Sequence, residues 1–410
     1  MAISGDAVGE SSGPLVSVII PAYNAEQFLA RTLASVIAQT HRNLEILVDD
    51  DGSTDATSQI VQRYAAQDAR IKLIQQNNAG VAAARNRGIE QARGEFIAPL
   101  DADDIWFPDC IAAQLSQMTS PRVGLVHAWS VFIDEADRLM SSCQSQRWQG
   151  GDFVPLVYRN LPGNASCVLV RRQYAQLVGG YDPSHRAQNA QGCEDWDFYL
   201  RLAERFEVRT VPRLLVGYRQ VTGSMSSNLL PMKRGLDLVL DAVAKRHPSL
   251  NPAIYRWSLS NFYCYLALKN SQMGNHCQTL VCLQRALRLD HAPLLQVSAY
   301  RLGGGSLVKL CLQPVARRIG SDQSAWRRFR SRVAEGLRRV NPWYQPLTLA
   351  TLEQRQVRDH QRFLRRQYER FLTRRFDRLR QQSQPSDRPP GLENRQRYQL
   401  EVTLPGKPPV

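Results

Sequence analysis

Apolar positions in the first hundred residues follow two alternating rhythms. Short runs with the length of buried strands occur at Leu15–Ile20, Leu44–Val48, Ile71–Ile74 and Glu95–Leu100. Between them the spacing changes to the 3.6-residue period of a helix. Phe28, Leu29, Leu33, Val36 and Ile37 share one face, and Ile60, Val61 and Tyr64 share another. A third helix is expected from about Gly80 to Ala92. Asn24, with Gln27 three residues on, predicts the N-cap of the first helix. Strand and helix in alternation predict right-handed βαβ units and a mostly parallel sheet. Ligands of such sheets bind beyond the carboxyl ends of the strands. Pro21–Asn24, Asp49–Asp55 and Asp101–Asp104 fall at those ends.

Further along, strands are expected at Val123–Ile133 and Ala165–Arg171, and a helix near Asp195. Strand signals stop beyond Leu229, and residues 232–315 read as helices. Gln356–Gln381 is a last helix, with Val357, Leu364, Tyr368, Phe371, Leu372, Phe376 and Leu379 in a broad stripe among arginines. After Ser383 the Pro-, Gln- and Arg-rich end reads as disordered.

The 410 residues exceed one compact core, so one large or two unequal domains are expected. With 43% hydrophobic and 22% charged residues, the chain is not disordered throughout. It holds no apolar run of the roughly 18 residues that a membrane span needs. The first fourteen residues contain two acids and no basic residue, unlike a secretory signal. Eight scattered cysteines without a Cys-x-x-Cys pair suggest reduced thiols in cytosol, with neither a disulfide framework nor a zinc site. Of the net charge of +15, most lies in residues 316–410, which carry 22 Lys and Arg against 9 acids. A basic tail on a near-neutral body favours an anionic partner.

Chemistry is suggested by four segments. Adjacent carboxylates in Asp49-Asp50-Asp51-Gly52-Ser53-Thr54-Asp55 repel unless donors or cations accept them; a plain acidic turn is the bland reading. In Asp101-Ala102-Asp103-Asp104, an extended chain end points Asp101 and Asp103 the same way, as ligands for one hard cation; a solvated loop is the alternative. The small residues of Ala79–Ile89 allow close helix–sheet contact, and Arg85 and Arg87 have the reach for phosphate oxygens; taken alone, the segment reads as a packed helix with exposed arginines. Gly192-Cys193-Glu194-Asp195-Trp196 sets a carboxylate beside an indole at a helix start. Partial desolvation there makes a proton acceptor, although acids also suit helix N-termini for dipole reasons.

Pro21-Ala22-Tyr23-Asn24, Asp50–Asp55, Ala79–Ile89 and Asp101–Asp104, in this order at strand ends, together resemble the family 2 glycosyltransferases. The likeness runs from about Leu15 to Ser226. Asp49 departs from it, because the family usually has an aliphatic residue before the acid pair. The resemblance implies an α/β GT-A fold, Rossmann-like and mostly parallel with flanking helices, here followed by an α-helical C-terminal extension. It implies donor binding by Pro21, Ala22, Tyr23, Asn24, Asp51, Arg85, Asp101 and Arg219. Asp51 would accept a hydrogen bond from the base, and Asp101 would approach the ribose. Asp103, with Asp101, would hold a divalent cation, Mn²⁺ or Mg²⁺. Glu194 and Asp195 match the family's catalytic pair, and Asp195 would act as base. The Gly179-Gly180-Tyr181-Asp182 turn matches as well, and Asn164-Ala165-Ser166 would shape the acceptor side. Tyr218-Arg219 and Ser224-Met225-Ser226 look like the closing segment, where Arg219 either clamps the diphosphate or makes a structural salt bridge.

The expected enzyme is an inverting, metal-dependent hexosyl- or pentosyltransferase of cell-envelope glycan or glycolipid synthesis. Its donor would be a nucleotide sugar, a UDP-sugar by preference, and its acceptor a glycan or lipid-linked sugar. The alternatives are a non-catalytic adaptor that keeps the fold and a nucleic-acid binder; no recognition motif supports the latter. The expected organisation is a catalytic domain at 14–228, a helical region at 229–315 and a basic tail at 316–410. The expected location is cytoplasmic, with peripheral association on the anionic inner face of the plasma membrane. For the stripe in 356–381 two outcomes stand open: it lies on a bilayer or it packs on the protein.

Overall fold

A computed structural model describes residues 13–145, 153–221, 229–319, 348–361 and 363–382. The first part alternates as its apolar rhythm predicts: β1 (Val16–Ala22), α1 (Leu29–Ile37), β2 (Leu44–Asp50), α2 (Thr57–Ala65), β3 (Ile71–Gln75), α3 (Val81–Gln91) and β4 (Phe96–Pro99). These strands lie side by side in the order β3-β2-β1-β4, all parallel. β1 and β2 are buried along their whole length because helices cover both faces. Ile19 and Leu47 face the core under α3, while Val18, Ile20 and Ile46 face that under α1 and α2. A Cβ on Gly88 of α3 would overlap the Ile19 side chain, so glycine there sets the close helix–sheet contact.

Asn24 does not cap α1, which starts only at Leu29. It sits in the left-handed region (φ 47°), where its short polar side chain is tolerated. Its N–H donates to Ser53 Oγ (2.9 Å) and its Oδ1 accepts from the Thr54 N–H (2.8 Å). The residue thus joins two strand-end loops.

The next elements are β5 (Ile105–Trp106), α4 (Cys110–Leu115), β6 (Val123–Ile133), β7 (Leu139–Gln144), α5 (Phe153–Tyr158), β8 (Val168–Arg171), α6 (Arg172–Leu177), α7 (Ser184–Ala187), α8 (Glu194–Ala203) and β9 (Glu207–Arg219). The sheet continues as β8-β6-β9-β5, with β7 against β6. Here β8 runs antiparallel to both β4 and β6, and β5 antiparallel to β9. The mostly parallel sheet expected from sequence therefore holds only for the first half. The second half is mixed because β8 returns through the sheet from the opposite end.

β9 has no clear signature in sequence, since Pro212 and Arg213 interrupt its apolar run. Ala128 and Trp129 of β6 face Val211 and Leu214, so these two residues are looped out as a bulge.

Helices follow: α9 (Leu229–Arg246), α10 (Ala253–Gln272), α11 (His276–Leu289), α12 (Val297–Ile319), α13 (Leu349–Gln361) and α14 (Phe363–Gln382). Leu236, Val243, Ile254 and Phe262 share one core with Trp196, Phe198 and Leu200 of α8. Helix α12 runs through the boundary expected at 315. The tail helices are part of the body. Phe376 and Leu379 are buried in that same core, and Tyr158 Oη lies 2.8 Å from Tyr368 Oη. Arg375 donates twice to Asp290 (2.7 and 2.6 Å) and stacks over Trp257. In α13, Leu352 is buried beside Trp129 and Leu214, and Glu353 accepts the Leu214 N–H. Of the two outcomes left open for the 356–381 stripe, packing on the protein is the one observed at Tyr368, Leu372, Phe376 and Leu379. The side chains of Val357 and Leu364, like residues 224–226 and 383–410, lie outside the described residues. Among those described, no helix is long and apolar enough to cross a membrane.

Candidate active site

At the end of β2, the acids are consumed by the loops they hold. Asp50 accepts from the Ser53 N–H (2.9 Å) and from the Ser58 hydroxyl. Asp51 takes three bonds of 2.7 Å, from Gln76 Nε2, the Ala79 N–H and the Gly80 N–H. It is buried and fixes the 76–80 loop that opens α3. A base that donates to it, as the family likeness implies, would do so as one more donor beside these three. Asp49 is fully buried on the α3 side with no partner for either oxygen. Burial pushes its carboxyl up to about 7; Arg87 opposes the shift, while Asp51 and Asp50 add to it.

After β4 the arrangement differs. Arg85, buried in α3, donates to Asp101 Oδ1 at 2.5 Å and lies over the Tyr181 ring. Burial opposes the charge on this guanidinium, but Asp101 and its other anionic surroundings raise its pKa. The Asp101 N–H is fixed by Ser166 Oγ (3.1 Å). Asp104 is fully buried, accepting from Ser166 Oγ (2.5 Å) and the Arg219 N–H (2.8 Å). Burial, then Asp103 and Asp101, raise its carboxyl well above the usual range. Asp103 is pushed up to about 6 by burial and by Asp101, against the pull of its own N–H and of Arg219. Apart from that N–H, no donor among the described residues is bonded to the Asp103 carboxylate.

Arg219 takes the structural part of its two expected ones. Its side chain is fully buried (0% exposed) and pairs with Asp137 (2.5 Å). It also donates to the Asp103 and Asp134 carbonyls (2.6 and 2.8 Å). In this structure the guanidinium is enclosed by these groups. Nothing in the sequence around Asp134 and Asp137 signals this role.

The third group of acids opens α8. Glu194 is buried and accepts the Gly192 N–H (2.6 Å). Asp195, half-buried, accepts from Asn160 Nδ2 at 3.3 Å and from the Trp196 N–H at 2.7 Å. The Trp196 indole is pinned by the Leu156 carbonyl (2.7 Å). Burial and the neighbouring Glu194 push Asp195 up to about 7, against the Arg85 charge and the bonds from Trp196 and Asn160. A carboxyl poised there exchanges protons near neutral pH.

Pro21 and Ala22 are buried at the end of β1, and Tyr23 stands out beside them, 54% exposed. The structure therefore gathers the end of β1, the 50–54 turn, Arg85, Asp101, Asp103 and Asp195 around the carboxyl ends of the parallel strands.

Comparison with known proteins fits this arrangement. The model of glycosyl transferase family 2 matches residues 17–176. A Bacillus subtilis (strain 168) protein named as a candidate teichuronic acid biosynthesis glycosyltransferase, TuaG, is 44% identical over 52% of this chain and 82% of its own length. The chain belongs to glycosyl transferase family 2. An uncharacterised glycosyltransferase of Rickettsia felis is 30% identical over 55% of this chain, but the match spans only 36% of that protein. A mannosyltransferase of Pyrobaculum calidifontis, solved with GDP-Man and Mn²⁺, is 18% identical and superposes over 72% of this chain and 81% of its own, with a TM-score of 0.47.

As a family 2 member, the chain has the expected GT-A class, with the mixed second half of the sheet and the helical extension described above. Sequence reasoning missed Asn160, Asp137 and the structural task of Asp104. It named Tyr181 only as part of a turn. Asn86 of α3 holds that turn from both sides: its amide donates to the Tyr181 carbonyl and its oxygen accepts the Tyr181 N–H, both at 2.7 Å. The Asn-x-Gly spacing of Asn86 and Gly88 gave no such hint, because the partner lies 95 residues away.

Proposed function

We propose that this chain is an inverting glycosyltransferase that moves a hexosyl or pentosyl group from a nucleotide sugar, a UDP-sugar in our reading, to an acceptor hydroxyl. The observation that carries the proposal is Asp195, a half-buried carboxyl at the start of α8, bonded by Asn160 and the Trp196 N–H and raised to about 7 against the charge of Arg85, which is itself bonded to Asp101. One buried arginine thus connects a proton acceptor with the acids of the donor side.

In this mechanism the acceptor oxygen bonds to the anomeric carbon as the bond to the diphosphate oxygen breaks, and the acceptor proton passes to Asp195. Direct displacement inverts the anomeric centre and needs no covalent enzyme intermediate. Tyr23 offers an exposed ring to the base, while Asn24 and Asp51 hold the loops on either side. Arg85 orients Asp101.

Asp103 and Asp101 suit a hard divalent cation, Mn²⁺ or Mg²⁺. Asp103 has a carboxylate that burial and a like charge disfavour and that no side-chain donor compensates. Among the described residues no third acid, His or Cys converges to complete a cage, as befits an ion that keeps water and substrate oxygens. When bound, such an ion supplies charge neutralisation to the leaving diphosphate. The name of the Bacillus subtilis relative, a candidate teichuronic acid biosynthesis glycosyltransferase, supports a role in making a cell-envelope glycan.

The test is nucleoside diphosphate release from a panel of donors with either ion, for the wild type and Asp195→Asn. The substitution should lower kcat by roughly 10²–10⁴ and leave donor affinity nearly unchanged. Donor affinity lost in parallel with turnover would make Asp195 a donor-side or structural residue. No turnover with any donor would leave the adaptor reading in its place.

A further inference from the structure

The outer side of α12 is apolar and, among the described residues, uncovered. Val297, Tyr300, Leu307 and Val308 are 42, 61, 53 and 56% exposed and lie on one side of the helix, at i, i+3, i+10 and i+11. Leu294 and Leu295 extend the patch upstream. Gly304 lies within the stripe, and a Cβ there would meet no atom within 4 Å. The inner side is already docked: Ala299 and Leu302 pack on the main core and Ser306 is buried. The outer stripe therefore belongs to a helix that is seated and yet leaves a second apolar face open. Faces of that kind mark interaction sites.

The surrounding charge has one sign. Residues 251–319 hold eight Lys and Arg and one acid, Asp290. That acid is buried and held by Arg375. Arg285, Arg301 and Lys309 are exposed. The stripe is thus flanked by cations with no exposed acid on α10, α11 or α12. A second copy of the chain is a poor occupant, because a two-fold contact of this face with itself brings two sets of like-charged side chains together with no acid between them. An apolar strip edged by basic side chains suits a helix lying in the plane of a lipid interface.

We propose that the outer face of α12 docks on an anionic bilayer. Tyr300, Leu307 and Val308 enter the boundary between headgroups and acyl chains, and Arg301 and Lys309 meet lipid phosphates. This moves the membrane surface expected from sequence away from 356–381, where Tyr368, Leu372, Phe376 and Leu379 pack on the protein. The inference is independent of the glycosyltransferase reading, since vesicle binding is measured without turnover.

The experiment is flotation of the full chain with vesicles of equimolar phosphatidylglycerol and phosphatidylcholine, and with phosphatidylcholine alone. The protein should float with the anionic vesicles, stay in solution with the neutral ones and be released by salt. Leu307→Asp/Val308→Asp and, separately, Arg301→Glu/Lys309→Glu should each weaken the partition roughly 10-fold or more, given the contribution of each basic group near such a surface. Both pairs are exposed, so the melting temperature should not move. Should the aspartate pair fail to fold, Tyr300→Ala carries the same test with a smaller loss. Absence of flotation by the intact chain, or flotation that all variants retain, overturns the proposal. So does a dimer in sedimentation that the aspartate pair dissociates while vesicles remain unbound.

Discussion

At the carboxyl end of β2, Asp50 and Asp51 have their oxygens engaged by loop N–H groups and nearby polar side chains, and Asp49 is sealed beneath them without a partner. After β4, Asp104 does the internal work, Asp101 is shared with Arg85, and Asp103 is left with an uncompensated carboxylate. Two runs of acids at equivalent positions thus divide their labour differently. What separates them is the supply of donors. The first run faces a Gly-rich turn and the start of α3, which offer several N–H groups. The second faces Ser166 and the Arg219 N–H, which reach only its innermost member. Acid clusters become available to ligands where the fold runs out of donors for them.

Removing the uncompensated acid should cost most. Asp103→Asn should reduce donor turnover by at least about 10²-fold, on the scale of a lost electrostatic stabiliser, while leaving the melting temperature at pH 8 unchanged or higher. Chelation should mimic it in the wild type, and added Mn²⁺ or Mg²⁺ should reverse the chelation. A variant with full turnover would put Asp103 in the same class as Asp50.

Asp49 should respond in stability and in the opposite direction. Its carboxyl titrates near 3.8 unfolded and about 7 folded. The folded form holds its proton over that interval while the unfolded form does not, so stability falls as pH rises from about 4 to 7 and then levels off. Each tenfold difference in proton affinity between the two forms is worth about 1.4 kcal/mol. Asp49→Val should therefore stabilise the protein by a few kcal/mol at pH 8 and by much less at pH 4. Melting curves at the two pH values check this; an equal gain at both would assign the effect to packing alone.

Asp51→Asn should destabilise by about 1–3 kcal/mol, the cost of unpairing buried donors, as read from denaturant midpoints. The smallest effect belongs to Asn160. Its Oδ1 accepts the Gly163 N–H (3.2 Å), which turns its amide nitrogen towards Asp195. That bond favours the charged carboxylate, so Asn160→Ala should move the acidic limb of the rate profile, near pH 7 in the wild type, to higher pH. An unmoved limb with lower kcat would restrict Asn160 to holding its own loop.

The parallel half of the sheet was legible because each of its elements carries its own signal. The α3 helix, expected over Gly80–Ala92, spans Val81–Gln91 with glycine at its cap. The positions of Asp101, Asp103 and Asp195 at element ends were legible for the same reason. What could not be read locally depends on distant partners. Asn24 serves a loop 30 residues away instead of its own helix. Arg219 is claimed by residues 103, 134 and 137, and β9 is defined by the strand that accommodates its bulge. The apolar stripe of α14 was visible, but a stripe does not say whether lipid or protein covers it.

The bond between Tyr158 and Tyr368 joins positions 210 residues apart. Helix α5, which ends at Tyr158 just before Asn160, is steadied by a helix made some 200 residues later. On the ribosome, the parallel half can close early from neighbouring segments, but the wall beside Asp195 waits for α14 to emerge. Such late, distant closure is slow in loop entropy. A nascent chain in which α14 has not yet emerged would therefore carry an assembled parallel half next to an unsteadied α5, and would be expected to depend on chaperones during that interval.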